Sequence, residues 1–427
     1  MSKFRNQSLK FTSQFFLIFA FLMIFFIGFT GESLATLSFS SDSYTFDINE
    51  NSANNTLIGQ VSASGGDYAY TLQLDVGTQE ISNWSTRGED FETINFSTQF
   101  SDTPIVFSQI QSYGEYNVTV TKQVSSNTWT NTWQAYEILF RTRQQNYSTT
   151  SFETILETSL QISDSVTSID NVSGAETVGW LAISSAVNGI WGDMPFEVIL
   201  TDETITDSTT SVSFSGPFTD APQLMGSVAT YNDSDQVGTG LSSLKQGKAV
   251  IFMDEFDDGS HSAEAVALLM IQGSGSLLDI NGDVIGTAGT ASFYDTQRDS
   301  ATTVTIQKNY SNPVVFVQPV SDEFDDAAFR FTDISYNSFS GYVHGDNESN
   351  EYLQYDYEFD LQYFIFETGS WEIGVESYSY SIIDGNESGA FSIDTNTGEI
   401  EVADSSQLDY ESGDIQYVLT LQVYLSV

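Results

Sequence analysis

The sequence predicts an all-β protein made of several antiparallel β-sandwich domains. Alternating segments such as Val212-Ser-Phe214 recur along the chain, and a proline that opens a hydrophobic run follows each of them. Proline is tolerated at the first residue of a strand, where the missing amide hydrogen is not needed. The chain has 427 residues, of which 40% are hydrophobic and 14% aromatic, so it can build more than one core.

The amino terminus is predicted to be a signal peptide over residues 1–35. A basic segment with Lys3 and Arg5 precedes an apolar run over 15–29, and small residues end at Ala35. The run is shorter than the roughly 20 residues that cross a bilayer. Cleavage after Ala35 gives a secreted or cell-surface protein, and an uncleaved segment that associates with a membrane is the alternative. No long helix is expected after this segment.

The middle of the chain contains three versions of one short sequence motif, the repeated phrase, in which a proline opens a hydrophobic strand. The hydrophobic strand of each version follows Pro104, Pro222 or Pro313, and a buried central strand beginning at Glu176, Glu264 or Glu358 is predicted to close it. The first version is longer by about 30 residues, which we place in the Ser-, Thr- and Asn-rich tract near 142–173. The predicted units are 75–192, 193–280 and 281–374.

Two motif series at opposite ends of the chain belong together. The first is Tyr44-Thr-Phe-Asp-Ile48-Asn49-Glu50-Asn51-Ser52; the second is Gly389-Ala-Phe391-Ser-Ile-Asp394-Thr-Asn-Thr-Gly398-Glu-Ile400 with Leu408-Asp409-Tyr410-Glu411. In this order they resemble a cadherin-like extracellular module. The resemblance implies an immunoglobulin-like β-sandwich split into 36–74 and 375–427, with the repeated units inserted as one surface loop.

The repeated units resemble a second family, the H-type lectin domain, over residues 75–372. The second unit contains Asp254-Glu255-Phe-Asp-Asp-Gly259-Ser-His261-Ser-Ala-Glu264, which matches an acidic-Gly-x-His-x-x-Glu phrase of bacterial relatives. The third unit contains Phe329-Arg330-Phe331 and Phe339-Ser-Gly-Tyr342. This resemblance implies a six-stranded β-sandwich for each unit.

The chain is strongly acidic, with 12 Lys plus Arg against 58 Asp plus Glu and a net charge of −46. Such a surface repels phosphates, so nucleic acid is excluded as a partner. Either the carboxylates are a solvated surface adapted to concentrated salt, or they form many weak cation sites. At about 1 M salt the Debye length is only about 3 Å, so repulsion is screened. We favour salt adaptation for most of them.

The sequence contains no motif that indicates an enzyme. There is no Cys, so disulfides, thiol nucleophiles and thiolate metal sites are absent. Neither a Gly-x-Ser-x-Gly elbow nor a Walker loop occurs. Because acidic residues occur throughout, no single Asp or Glu indicates catalysis, and the sequence predicts a protein that is not an enzyme. A secreted polysaccharide-acting enzyme is the least favoured alternative.

Calcium is the cofactor that the cadherin-like resemblance implies. Glu50, Asp409 and Glu411 match the family's ligands, and Asp67 remains of its Asp-x-Asp pair because Gly65 replaces the first Asp. The chain also ends without the family's acidic linker. The expected dissociation constant is that of extracellular modules, about 10⁻⁴–10⁻³ M. The alternative is a set of solvated carboxylates on a salt-adapted surface.

Three residues are candidate sugar contacts. Trp129 and Trp133 stand in a polar context and could stack on sugar rings. His261 lies in the acidic phrase, where the alternative is a loop histidine that bonds locally. The predicted function is calcium-dependent cell adhesion or surface attachment through cell-surface proteins or glycans. The alternative is an extracellular carbohydrate-binding protein in which the cadherin-like part is only a spacer.

Overall fold

The computed structural model describes residues 6–13, 38–39, 41, 43–49, 52–64, 70–82, 84–85, 91–112, 119–125, 128–133, 140–158, 166–170, 175–233, 236–255, 261–294, 301–319, 327–345, 358–408 and 416–425. The described chain is nearly all strand, which confirms the predicted all-β class with multiple antiparallel sheets. It forms two compact units, Met1–Tyr70 with Gly374–Val427, and Thr71–Ile373. Within these described ranges, no helix is long and apolar enough to cross a membrane.

Five of the described strands precede the repeated units. They are β1 (Asn6–Ser13), β2 (Ser38–Phe39), β3 (Thr45–Asn49), β4 (Leu57–Gln60) and β5 (Ala63–Ser64). β1 lies within the predicted signal peptide and pairs with β3. Cleavage after Ala35 stays a prediction.

The first repeated unit folds as a six-stranded sandwich with an added sheet. Its strands are β6 (Tyr70–Ile81), β7 (Trp84–Ser85), β8 (Glu92–Asn95), β9 (Ile105–Ile110), β10 (Thr119–Ser125), β11 (Thr128–Trp133), β12 (Phe140–Gln145), β13 (Ser151–Thr158), β14 (Val166–Asp170) and β15 (Glu176–Ile183). In the first sandwich, β15 lies between β6 and β9 in one sheet. In the facing sheet, β13 lies between β8 and β12, and the two-residue strand β7 also pairs with β13 as an additional strand. Phe152 and Trp180 pack between the two sheets.

The predicted position of the extra residues in this unit was wrong. Most of the tract 142–173 was expected to be an insertion, yet β12 and β13 lie there and belong to the sandwich, with Arg143 and Phe152 fully buried. Thr-rich segments form strands readily, so a polar composition did not indicate a loop. The long connection instead runs between β9 and β12. It carries β10 and β11, which β14 completes as a separate three-stranded sheet, the inserted sheet.

The second and third units repeat the same six-strand plan. After β16 (Val187–Trp191), the second sandwich has β17 (Met194–Leu200), β18 (Thr210–Ser213), β19 (Gln223–Val228), β20 (Val237–Lys245), β21 (Lys248–Glu255) and β22 (Val266–Ile271). After β23 (Gly275–Leu278), the third has β24 (Val284–Tyr294), β25 (Thr302–Thr305), β26 (Pro313–Pro319), β27 (Ala327–Ser335), β28 (Ser338–Gly345) and β29 (Glu358–Glu367), and β30 (Gly369–Glu376) follows.

The pairing is the same in each sandwich. β22 lies between β17 and β19, and β29 lies between β24 and β26. The facing sheets are β18-β21-β20 and β25-β28-β27. The strands predicted to be central, now β15, β22 and β29, are central in all three sandwiches, which confirms that prediction.

These central strands are buried on both faces. In β22, Leu268 and Met270 face the core of the second sandwich, while Leu269 and Ile271 on the other side are equally buried. A strand covered on both faces becomes continuously apolar. The second covered face is the one where the three sandwiches meet.

The three sandwiches close into a ring through one repeated contact. Five residues after the prolines of the repeated phrase stand Gln109, Ser227 and Gln318. The Gln109 side chain bonds the backbone of Val317, accepting from its N–H at 2.8 Å and donating to its carbonyl at 3.2 Å. Gln318 accepts from the Gly226 N–H at 3.3 Å, and Ser227 accepts from the Ser108 N–H at 3.4 Å. Each sandwich thus contacts the next one at the same strand position.

Gln111 supplies a further contact of this kind and a first test of the ring. Its amide donates to the Val315 carbonyl and accepts from the Val315 N–H, both at 2.8 Å. Gln111→Met leaves both buried backbone groups without these bonds, and we expect a loss of about 1–3 kcal/mol in the free energy of unfolding. Urea denaturation measures it, with the exposed Gln79→Met on β6 as control. Equal midpoints for the two variants would contradict the role of Gln111.

The remaining strands lie after the ring. They are β31 (Tyr378–Asp384), β32 (Phe391–Ile393), β33 (Glu399–Val402) and β34 (Gln416–Leu425), with a 3₁₀ turn at Ser405–Gln407. One sheet has the order β3-β1-β34-β31, and another has β32-β33-β4. Gly59 and Ile400 are partners in the β4–β33 pair, so stretches more than 300 residues apart form one body. Val61, Phe391 and Leu421 are buried in it.

Candidate functional site

The arginines of the ring mark the contact between the first and second sandwiches. Arg141 and Arg143 stand two positions apart on β12 and therefore lie on one face of that strand. Both reach the second sandwich, and both side chains are at most 9% exposed. The chain has only 12 basic residues, and two of them are buried at this contact.

Arg143 lies in a buried cluster of ionisable groups. Its guanidinium is 2.8 Å from Glu264 and 3.4 Å from Glu157, and it donates to the Thr230 carbonyl at 3.2 Å. The Tyr231 ring lies against the same guanidinium, 4.7 Å from its central carbon. Two carboxylates thus share one cation in a site without solvent, where pairing must offset the cost of desolvation.

Glu264 also holds a loop of the second sandwich. It accepts hydrogen bonds from the Thr230 hydroxyl at 2.5 Å and from the backbone N–H groups of Asn232 at 2.8 Å and Asp233 at 3.3 Å. A carboxylate that accepts several such bonds fixes the backbone that donates them. The loop after β19 is therefore positioned by the residue that also pairs with Arg143.

Burial dominates the acid–base properties of this cluster. It raises the pKa of Glu157 to about 7, although Arg143 and the Val237 N–H lower it. It also raises the pKa of Tyr231 to about 12, with a further contribution from Glu157, and it raises the pKa of Tyr147. Among Glu157, Tyr231 and Tyr147, Glu157 is therefore the one whose charge changes near neutral pH.

Arg141 stands at the edge of a cavity where the three sandwiches meet. Its guanidinium bonds both the side chain and the backbone carbonyl of Asp254. The cavity has a volume of about 140 Å³, and its walls combine apolar and polar side chains, namely Phe107, Met225, Phe316, Arg141, Asp254 and Gln318. A cavity with aromatic walls and a few oriented polar groups can bind a small polar ligand.

The ion pair of Arg143 has a counterpart at another contact of the ring. Arg330 on β27 is 2.8 Å from Glu176, the first residue of β15. Aligning the strand registers equates Arg143 with Arg330 and, in the second sandwich, with Gly240. The ring of Phe252 occupies the space that a side chain at Gly240 would need. Two of the three contacts between sandwiches therefore contain a buried arginine at this position, whereas the contact at Gly240 does not.

The predicted sugar contacts lie in different places. His261 is only 5% exposed, and its Nδ1 lies 2.6 Å from the Ser262 carbonyl oxygen, a local contact. Trp129 and Trp133 lie on β11 of the inserted sheet. The structure does not group them with His261, and all three stay predicted contacts.

The predicted calcium ligands Glu50, Asp67, Asp409 and Glu411 lie outside the described residues. Among the residues that the structure does describe, no three His, Asp or Glu side chains are grouped so that they could hold a metal ion. The predicted calcium site therefore stays a prediction.

Sequence reasoning missed Arg141, Arg143 and Glu157 entirely. The positions of the arginines could have indicated two of these residues, because three of the six arginines in the chain lie on the fourth strand of a repeated unit. Two of their ion pairs, Arg141 with Asp254 and Arg143 with Glu264, join residues more than 100 positions apart, whereas Glu157 lies 14 positions from Arg143. Periodicity along one strand carries no information about such partners.

The fold and the site define an all-β protein that has three six-stranded sandwiches arranged as a ring in one unit and a second unit built from both ends of the chain. Comparisons with protein-family models, curated proteins and solved structures found no match for it.

Proposed function

We propose that this is an exported, calcium-dependent surface-attachment protein whose lectin-like sandwiches bind glycans or proteins at cell surfaces. The observation that carries the proposal is the cavity at the junction of the three sandwiches, with Arg141 and Asp254 at its edge. The threefold repetition of one six-stranded sandwich agrees with the resemblance to H-type lectin domains.

The chemistry of the cavity suits a sugar. Arg141 and Asp254, which bond each other at the edge of the cavity, carry N–H donors and carboxylate acceptors of the kind that sugar hydroxyl groups bond. Phe107 and Phe316 offer apolar faces for its C–H groups. The net charge of −46 disfavours anionic ligands, so a neutral sugar is the better partner.

The alternative is an extracellular carbohydrate-binding protein in which the split unit is a structural spacer. One observation favours it specifically, since every residue that lines the cavity belongs to Thr71–Ile373. Ligand binding at the cavity would then be independent of calcium in the other unit.

A binding assay in high salt separates these functions. The full secreted protein is tested on glycan arrays and on cells, with calcium and with chelator. Cell binding that chelator abolishes but free sugar does not would favour calcium-dependent adhesion. The reverse result would favour the alternative. Release of oligosaccharide from a polymer would instead indicate an enzyme, and absence of binding in both arms would contradict both proposals.

Arg141 provides a variant for this assay. Arg141→Lys keeps the charge but loses the paired N–H groups that bond Asp254, and we expect about a tenfold weaker affinity for the glycan. Lys245→Ala, at the exposed end of β20, is the matched control and should bind normally. Unchanged affinity in Arg141→Lys would place the glycan elsewhere.

Calcium is tested separately by thermal unfolding. If Glu50, Asp67, Asp409 and Glu411 bind calcium with a dissociation constant of about 10⁻⁴–10⁻³ M, then about 10 mM calcium stabilises the protein by roughly 1–3 kcal/mol. The melting temperature should rise with calcium and not with an equal ionic strength of sodium chloride. Asp409→Asn with Glu411→Gln should remove the rise. If the melting temperature does not change when calcium is added, the calcium proposal is wrong.

A further inference from the structure

The ionisable groups at the contact between the first and second sandwiches do not balance in charge. Two arginines of the first sandwich each pair closely with one carboxylate of the second. Arg143 is 2.8 Å from Glu264, and Arg141 bonds both the side chain and the backbone carbonyl of Asp254. Glu157 is a third carboxylate at the same contact. When all five groups are charged, three negative charges therefore face two positive ones.

Glu157 is the carboxylate of the three with the weakest pairing. Its side chain is 1% exposed, and its ion pair with Arg143 is 3.4 Å long. Its other oxygen, Oε1, has no hydrogen-bond partner in the part of the chain that the structure describes. A buried carboxyl group in such surroundings is more stable in its neutral form. Burial accordingly raises the pKa of Glu157 to about 7.

Further acidic and tyrosine side chains surround this cluster. Glu264, in the segment before β22, raises the pKa of Glu157 further. Asp233 lies in the loop after β19, and the buried Glu255 ends β21. Tyr147 and Tyr231 stay neutral near pH 7, because burial raises the pKa of both hydroxyls. The lysines of β20 and β21 lie at the opposite end of that hairpin. An ionised Glu157 therefore competes with the other carboxylates for the two arginines.

Glu157 is connected to the cavity through two residues of the cavity wall. Arg141 and Glu157 are direct partners in the antiparallel β12–β13 register, so their side chains lie on one face with Cβ atoms about 5 Å apart. Arg141 lines the cavity from the first sandwich, and Val237 lines it from the second. The Val237 N–H forms a hydrogen bond to the Glu157 carboxylate. A change at Glu157 therefore reaches both sides of the cavity.

We propose that protonation of Glu157 controls this contact and, through it, ligand binding at the cavity. With Glu157 neutral, each arginine keeps its own carboxylate, the two sandwiches stay together and the cavity keeps its shape. With Glu157 ionised, the arginines are drawn from Glu264 and Asp254, the contact loosens locally and the ligand is released. The inference rests on the proposed function only where it concerns the ligand, and it adds the regulation of that site.

The contact between the third and first sandwiches provides an internal reference. There one arginine faces one carboxylate, since Arg330 is 2.8 Å from Glu176 and the Ser112 hydroxyl donates to the same carboxylate. The backbone of Val315 and Val317 is held by glutamines of the first sandwich at this contact. This backbone should keep its protection against hydrogen exchange over the pH range in which the contact at Glu157 loosens.

Hydrogen exchange of the full protein in high salt, measured by mass spectrometry, tests the loosening without any ligand. Peptides that cover 229–233 and 237–241 report on the contact, and peptides that cover 314–317 report on the reference. Intrinsic exchange rates are corrected for pH. Opening that returns the pKa of Glu157 from about 7 to 4.5 lowers protection at the contact about tenfold between pH 6 and pH 8. Unchanged protection at the contact, or an equal loss at the reference, would overturn the proposal.

Two substitutions on β13 show whether Glu157 is the cause. Glu157→Gln has nearly the shape of the neutral acid and cannot ionise, so protection at the contact should be equal at pH 6 and pH 8. Glu153→Gln, also on β13 but partly exposed, should follow the parent protein. A tenfold loss that persists in Glu157→Gln would assign the loosening to another group and reject the proposal. The comparison of contact and reference in the parent needs no variant, so it decides the proposal even if Glu157→Gln folds poorly.

Ligand affinity tests the link to the cavity. For a glycan found in the binding assay, the affinity of the parent should fall about tenfold from pH 6 to pH 8, because the neutral fraction of Glu157 falls from about 0.9 to about 0.1. The affinity of Glu157→Gln should stay constant. Equal affinity of the parent at both pH values would reject the link. If no glycan binds, the proposed function fails, whereas hydrogen exchange still decides whether Glu157 controls the contact.

Discussion

Replacing Arg143 by methionine is expected to lower the free energy of unfolding by about 3–5 kcal/mol. The substitution keeps much of the apolar volume but removes the only cation that is paired with both Glu157 and Glu264. Glu264 is fully buried, so its charge would be left without a counterion in a medium of low dielectric constant. Urea denaturation in concentrated salt measures the loss, because screening there acts on exposed charges and little on buried ones.

Two further variants show whether the charge is responsible. Arg143→Met combined with Glu264→Gln removes both charges and should recover part of the loss. Lys245→Met removes an exposed cation on β20 and should change stability by less than about 0.5 kcal/mol. If Arg143→Met were as stable as Lys245→Met, the cluster would not stabilise the ring.

The stability of the protein is expected to fall as the pH rises through neutrality, because of Glu157. Its folded-state pKa is about 7, whereas the ordinary value is 4.5. Between these values the folded protein holds a proton that the unfolded chain has released, so stability decreases with rising pH. At about 1.4 kcal/mol per pH unit, the contribution amounts to roughly 3 kcal/mol. It is fully present below pH 4.5 and lost above about pH 7.

Glu157→Gln isolates this contribution from that of other groups. The amide cannot ionise, so the loss of stability between pH 5 and pH 8 should be smaller in the variant than in the parent protein by roughly 2.5 kcal/mol. Glu153→Gln, also on β13 but partly exposed, is the control and should follow the parent. Parallel pH profiles for the parent and Glu157→Gln would show that Glu157 is already ionised when folded.

Much of the fold could be predicted because the repeated phrase is local. A proline before a hydrophobic run indicates the third strand of each sandwich, and the run after Glu264 indicates a central strand, here β22. Alternation and burial act on neighbouring residues, so they leave a signal in the sequence. The insertion was placed wrongly for the same reason, since the Thr- and Ser-rich residues of β13 resemble a loop in composition while Phe152 and Ile155 fill the core.

The sequence by itself determined the all-β class, the repetition of a strand pattern and the strong negative charge. Only the tertiary structure decided that the three sandwiches close into a ring and that Arg143 meets Glu264 and Glu157. The physical reason is that strand pattern follows from local sterics and hydrophobicity, whereas pairing between distant strands follows from chain closure and complementary packing, which no short stretch of sequence encodes.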